Sequence, residues 1–450
     1  MLLRYIVSNF KSIGLPIEFS MLPSSPDISD FDDRFIRTIN TKVGPWKVLL
    51  RGGVFGPNAA GKTAFAESMY YARTFILDLQ SSGKPTRVKP FRGEIPELHG
   101  KTTFQFMIYT CNDVFQYGFS LDSEQVYEER LDILEESGFN NLFVRHTDLK
   151  GNTDIAIGAE LARDGETLDV VRLLVKTFSA NQKNLLFLNR LYENGINKIN
   201  PVINWFQALT ILNPSSTMLS MPRQMKENIE FRKFIGSMLH NMDTGIDGIN
   251  VASEKMDIDT LSRNYNIPIP ILQQVEDSDG GIFNADGKFF ISSHDGKNGL
   301  ISVKINFDHK LNGKVVPFDL NDESDGTQRL IDLIPMLFIE RNSNAVFVVD
   351  EIDRSLHTKL SQYFLDYFLN QAKGNSRLYS QMIFTSHDVN LLNLSRFSKD
   401  ELWFIEKNKD GQSNLHSLSD YDVKKDHDVL KDYLCGRFGA VPIIGGVDIG

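Results

Sequence analysis

The chain has 450 residues, of which 41% are hydrophobic and 24% charged, and its formal net charge is −10. That length suits two or three compact units, and the apolar share is enough to bury a core without a covalent staple. The acidic balance argues against a broad surface for polyanions, two distant cysteines (Cys111 and Cys435) make no disulfide framework, and no apolar run reaches membrane-spanning length.

The opening Met1-Leu2-Leu3-Arg4-Tyr5 runs into alternating residues rather than an apolar leader, so a cytoplasmic location is expected. Residues 2–8 and 15–21 read as strands joined by Asn9-Phe10-Lys11-Ser12-Ile13-Gly14. Residues 46–55 form an apolar, β-rich run ending in glycines. From Lys62 to about Leu79, Phe65, Met69, Ala72, Phe75 and Ile76 recur at helical spacing. Pro85, Pro90 and Pro96 mark 80–100 as a loop. Alternation at 102–110, 115–121 and 125–134 predicts antiparallel strands. Residues 158–245 read as helical, and 246–285 as mixed and loop-prone with an exposed turn at Asp277–Gly281. Strand patterns return at 288–293, 300–306 and 314–319. A helix is expected at 325–340, a strand at 345–350, a helix at 357–372, strands at 380–385 and 401–406, and a last helix at 425–435. Two basic groups, Lys84/Arg87/Lys89/Arg92 and Arg223/Lys226/Arg232/Lys233, read as solvated surface.

Gly56-Pro57-Asn58-Ala59-Ala60-Gly61-Lys62-Thr63 matches G-x-x-x-x-G-K-[ST], with an apolar strand before it and an amphipathic helix after it. Gly56 and Gly61 let the backbone curl so that successive N–H groups face inward and hold an anion. The helix that follows directs its free N–H groups and dipole at the same point. Lys62 is placed to reach the β- and γ-phosphates of a triphosphate, and the Thr63 hydroxyl to ligate Mg²⁺. ATP and Mg²⁺ are therefore the expected cofactors.

Ala345-Val346-Phe347-Val348-Val349-Asp350-Glu351 is an apolar strand ending in two acids. Continuous apolar runs mark buried parallel strands, and in open α/β sheets chemistry sits beyond their carboxyl ends. Asp350 is thus expected to hold Mg²⁺, and Glu351 to polarise the attacking water. About 290 residues separate Lys62 from Asp350, so most of the chain is inserted between two halves of one nucleotide site. The predicted organisation is an N-terminal lobe at 1–157 with the P-loop and an antiparallel β subdomain, a mainly helical insertion at 158–285, and a C-terminal lobe at 286–450.

These motifs resemble the ATPase heads of SMC, RecF and OLD-type proteins, a branch of the ABC ATPases. Val7-Ser8-Asn9-Phe10-Lys11-Ser12-Ile13 resembles that group's first strand and turn, Thr385-Ser386-His387 its switch histidine, and Glu323-Ser324-Asp325-Gly326-Thr327-Gln328-Arg329 its signature motif. With Arg437-Phe438-Gly439-Ala440-Val441-Pro442 added, the set is similar to ATP-binding proteins of bacterial anti-phage and abortive-infection systems. RloA, AbiL-like proteins and the PARIS ATPase AriA belong to that set.

The resemblance implies an α/β fold, an ABC-type P-loop ATPase head with a mixed sheet, flanking helices, an antiparallel β subdomain and a helical insertion. It implies ATP hydrolysis in a homodimer, or a higher oligomer, with ATP at the interface. Ser324 and Gly326 of one subunit would face the γ-phosphate bound by the other, as a Ser/Gly turn at a helix start suits an anion. Asp325 departs from the common Ser-Gly-Gly. His387 would sense the γ-phosphate, Asp353, Arg354 and His357 would cross to the partner, and Lys11 would touch phosphate. Gln105, Gln116 and Gln125 are each candidates for the family's loop glutamine.

The function expected is a sensor and switch in anti-phage defence, responding to a phage-derived trigger. An OLD-type nuclease domain would need more than the roughly 60 residues after His387, so a separate effector chain, a nuclease, is expected. The alternative is a RecF- or SMC-like DNA-maintenance clamp, with DNA as ligand. A membrane partner is not expected.

Overall fold

A computed structural model describes residues 1–25, 35–78, 85–161, 165–178, 182–214, 221–278, 281–285, 288–292, 300–340, 343–374, 380–423 and 428–441. The chain divides into two compact units. The first comprises Met1–Pro214, Ser343–Asp353 and Leu369–Gly450; the second comprises Ser215–Asn342 and Arg354–Phe368.

The first unit holds two large sheets. One is antiparallel, built from β1 (Leu2–Ser8), β2 (Ile17–Ser20), β6 (Thr102–Thr110), β7 (Asp113–Leu121), β8 (Val126–Glu135), β9 (Gly138–Thr147) and β10 (Thr153–Ile157), in the order β10-β9-β8-β7-β6-β1-β2. Its strands alternate buried and open residues, as a sheet with one packed face should. A small hairpin pairs β3 (Ile36–Thr41) with β4 (Gly44–Leu49). The other large sheet is mixed: β5 (Arg51–Phe55), β11 (Leu209–Leu212), β17 (Val346–Val349), β18 (Gln381–Ser386), β19 (Leu402–Lys407) and β20 (Ser413–Ser417), in the order β11-β17-β18-β5-β19-β20. Pairings from β11 through β19 are parallel. β5, β17 and β18 are buried at every position; β17, all Val and Phe, reads as an unbroken apolar run, and β18 has an apolar centre between polar ends.

Arg51 breaks that apolar pattern. Its Nε donates to Glu401 Oε1 at 3.1 Å, its guanidinium lies 3.7 Å from the Phe397 ring centre, and it also bonds the Arg396 carbonyl. A charge on a core strand is tolerable only with such partners. Helix α1 (Lys62–Leu77) follows the P-loop and buries Phe65, Met69, Ala72, Phe75 and Ile76. Shorter helices α2 (Gly165–Thr177), α3 (Phe187–Glu193) and α4 (Asn200–Ala208) complete the early part of this unit, and α11 (Val429–Leu434) the late part.

The second unit carries helices α5 (Met221–Glu227) and α6 (Ile229–Asn241), strand β12 (Ile246–Met256), helices α7 (Ile258–Tyr265) and α8 (Ile269–Asp277), strands β13 (Ile282–Ala285), β14 (Lys288–Ser292), β15 (Leu300–Leu311) and β16 (Lys314–Asp319), and helix α9 (Asp325–Glu340). Its sheet runs β12-β15-β14-β13, with β16 also on β15. Leu261, Leu272, Phe290 and Leu300 form a local core. Helix α10 (Thr358–Gly374) begins in this unit and ends in the first.

Several segments differ from their sequence reading. Residues 46–55 are two strands, because Leu50 separates a hairpin arm from a fully buried strand. Leu209–Leu212, inside the stretch read as helical, is a β-branched and leucine-rich tetrapeptide that pairs with β17. Strands β3, β9 and β20 carry Asn, Thr or Ser at several positions, so their alternation is faint, and β10 has only five residues in which to show one. The segment from 246, read as loop-prone, opens with an eleven-residue strand. The Asp277–Gly281 turn lies partly, and Lys84 and Pro442 wholly, outside the described residues.

Candidate functional site

Strand β5 ends at Phe55 and the chain turns through Gly56–Gly61 into α1. Gly61 has φ +119°, and Ala59 has φ 61°, so the loop curls through the left-handed region twice. Gly56 is required for a different reason from the curl expected of it. A Cβ there would lie 2.2 Å from the Ile405 carbonyl oxygen on β19. At Gly61 a Cβ would lie 2.1 Å from Ser413 Oγ. Ser413 Oγ donates to the Ala60 carbonyl at 2.7 Å and meets Ser12 Oγ at 2.8 Å. The β19–β20 hairpin therefore braces the loop from behind.

Lys62 is almost wholly buried, and its Nζ donates to the carbonyls of Gly56 (2.6 Å) and Pro57 (2.8 Å). Burial lowers its pKa to about 8, against the opposing pull of Asp353, Asp350 and Glu351. The order β17-β18-β5 brings the carboxyl ends of the acid strand and the histidine strand beside the P-loop strand. Asp350 is buried, and its Oδ1 accepts from Thr385 Oγ1 at 2.6 Å. Thr63 hydrogen-bonds the same carboxylate, and desolvation raises the Asp350 pKa above the usual carboxylate value. Thr385 Oγ1 also accepts from Glu351 N at 2.8 Å. One hydroxyl thus fixes both acids, a role that sequence reasoning did not give it.

Glu351 has φ 51°, a left-handed residue that swings its side chain away from Asp350. Its Oε1 stands 3.5 Å from His387 Nε2. The His387 backbone N donates to both carboxylate oxygens of Asp353, at 3.3 and 3.1 Å, so a third acid, two residues past Glu351, anchors the turn that presents the histidine. Lys11, with φ 51°, pairs with Glu67 on α1, and its N–H bonds the Lys89 carbonyl at 2.8 Å. A cavity of about 570 Å³ is lined by Lys11, Ser12, Asn58, Lys62, Thr63 and Glu351, with Glu67 and His387 at its wall. Asp350 underlies it through Thr63.

None of Gln105, Gln116 and Gln125 lines this cavity. The first two lie on the open face of the antiparallel sheet, and Gln125 Nε2 is engaged by the Asp148 carbonyl at 3.1 Å. Glu67 and Ser413 are site neighbours that no motif marked, and Ser12 stood in the quoted N-terminal turn without an assigned role.

In the second unit, Ser324 is exposed and its Oγ accepts from Thr327 N at 3.2 Å, capping α9. A Cβ on Gly326 would lie 2.8 Å from the Ser355 carbonyl oxygen, so glycine permits the loop at 355 to approach. Asp325 is exposed.

The donor set at Thr63 and Asp350 consists of hard oxygens beside a phosphate-sized nest, which fits Mg²⁺ rather than a soft metal. Among the described residues no cluster of three or more His, Cys, Asp or Glu could hold a metal alone. No helix among the described residues is long and apolar enough to cross a membrane.

A P-loop, a buried acid strand and a histidine strand converge on one cavity, the layout of a P-loop nucleotide-binding domain. The chain belongs to the family described as "AAA domain, putative AbiEii toxin, Type IV TA system", whose model matches residues 53–393. Solved structures similar to it include an SMC head bound to the C-winged helix domain of ScpA, with TM-score 0.37 and 12% identity over 92% of this chain and 97% of that one. The SMC head domain from Thermotoga maritima is similar with TM-score 0.34 and 12% identity, over 92% and 98%. No curated protein matches the sequence.

Proposed function

We propose that this chain hydrolyses ATP between two copies of itself and uses the cycle as the sensor and switch of a bacterial anti-phage system. It would respond to a phage-derived trigger and release or restrain a separate effector chain, a nuclease by expectation. The observation that carries the hydrolytic reading is the convergence of Lys62, Thr63, Glu351 and His387 on one cavity, with Asp350 beneath. The family's description, which names a toxin of a toxin–antitoxin system, supports the place in defence.

In this reading the P-loop amides and Lys62 hold the β- and γ-phosphates. Thr63 and Asp350 would hold Mg²⁺, which would supply positive charge against the phosphates. Glu351 accepts the proton of the attacking water, and His387 donates to a γ-phosphate oxygen. Ser324 and Gly326 of the partner subunit close the site over the nucleotide.

Glu351→Gln tests the assignment of the base. It should slow phosphate release by roughly 10²–10⁴-fold while ATP still binds, and hold the ATP-bound dimer in sedimentation. An unchanged rate would remove Glu351 from the mechanism. For the switch, Lys62→Ala in cells carrying the neighbouring genes should abolish protection against phage. Metal-dependent nuclease activity in the pure chain would overturn the separate effector.

A further inference from the structure

The geometry points to a second, nucleotide-independent interface: β12 pairs antiparallel with β12 of another copy, about a two-fold axis through Val251. This inference does not rest on the ATP reading, and it concerns a strand within the second unit alone.

β12 is eleven residues long and stands at the end of its sheet; among the described residues it pairs only with β15. The N–H and C=O groups that point away from β15 make a template for another strand. Asp247, Asn250 and Ala252 through Lys255 are exposed along it. The ladder with β15 has one bulge, between Ile246 and Gly248, and runs in continuous register from Gly248 to Met256, so a long stretch of edge stays open to a partner.

The occupant is identified by self-complementarity. In an antiparallel pair, residues directly opposite share a face, so a two-fold axis normal to the sheet must pass through a residue. Val251 is the midpoint of Ile246–Met256, so that register overlaps the whole strand. It is also the register that sets Lys255 opposite Asp247, twice by symmetry. An axis at Ser253 would set Lys255 against Val251, and one at Glu254 would set that glutamate against itself.

The faces agree. Ile249 lies beside Gly236 of α6, 3.8 Å from where a Cβ would stand, so Ile249 points toward that helix. Asp247 lies 3.6 Å from His240 of the same helix, and Lys255 alternates onto the Ile249 face. Beside the edge is an open groove of about 890 Å³ whose lining includes Ile229, Gly236, Ile249 and Val251, with Arg232 and Lys233 of α6 also at its wall. Ile229 is 57% exposed at the start of α6, in the groove that the second strand would enter.

The test is the oligomeric state without nucleotide, by sedimentation of the wild-type chain and of Lys62→Ala, which separates this contact from any ATP-dependent one. Both should dimerise. Asp247→Lys and Lys255→Asp each place like charges opposite one another twice, and each should weaken the dimer on the order of tenfold or more. Asp247→Lys combined with Lys255→Asp restores opposite charges and should recover the dimer, which also shows that the single variants fold. Hydrogen exchange should be slowed at outward β12 amides in the dimer and fast in the single variants. A wild-type chain that stays monomeric without nucleotide, or a double variant no better than the singles, overturns the proposal.

Discussion

The depressed pKa of Lys62 makes nucleotide affinity a measurable function of pH. Burial holds the free ammonium at about 8. A bound triphosphate stabilises the charged form, so binding draws a proton from solution wherever the free lysine is neutral. The charged fraction of the free site falls from about nine-tenths at pH 7 to about one-tenth at pH 9. ATP affinity should therefore fall about tenfold over that interval, equivalent to about 1.4 kcal/mol. The nucleotide contributes little to the trend, since a terminal phosphate with a pKa of about 6 is largely ionised throughout. The assay is calorimetric titration of Glu351→Gln with ATP at pH 8, in buffers of different ionisation enthalpy. It should report uptake of about half a proton per site. Lys62→Arg keeps its charge and should lose this component of the pH dependence even if it binds more weakly. Flat affinity between pH 7 and 9 with no proton uptake would refute the reasoning.

Thr385→Val removes the hydroxyl that fixes Asp350 and Glu351; steady-state turnover should drop roughly 10–100-fold, as for other residues that orient metal ligands. Gly56→Ala drives a methyl into the Ile405 carbonyl, so β5 and β19 must part; thermal melts should show a loss of about 1–3 kcal/mol. Glu340 is buried, and desolvation raises its pKa to about 9. Its folded form keeps a proton that the unfolded chain releases, so its contribution is full below about pH 4.5 and is lost as pH rises toward 9. Glu340→Gln should remove that slope and stabilise the chain at pH 8 by a few kcal/mol in denaturant titrations.

The candidate site was more legible than the scaffold. Gly56 through Thr63, Asp350, Glu351 and His387 stood out as candidates because phosphate and metal binding would demand those residue types at fixed spacing on strand ends, and the fold brings them to one cavity. Helix α1 and strands β17 and β18 were readable because burial on one or both faces imposes a strong period. Leu209–Leu212 was hidden: four residues cannot show a period, and only pairing with β17 makes them a strand. Thr385 stood in a quoted motif, yet its two hydrogen bonds, one to Asp350 and one from Glu351, depend on β17 and β18 lying side by side. Ser413 is farther still from the P-loop it braces, and no local signal ties the two together.

The order β18-β5-β19 carries a cost during synthesis. Strand β5 leaves the ribosome more than three hundred residues ahead of both neighbours that hydrogen-bond it. At roughly 5–20 residues per second, that leaves about 15–65 seconds in which an apolar strand and its glycine turn have no sheet to enter. The antiparallel sheet, whose strands all lie before residue 158, is free to form in that time. The candidate nucleotide pocket is thus among the last features to be assembled, and a chain that stalls before β18 would present β5 to chaperones, or to other nascent chains, rather than to a ligand.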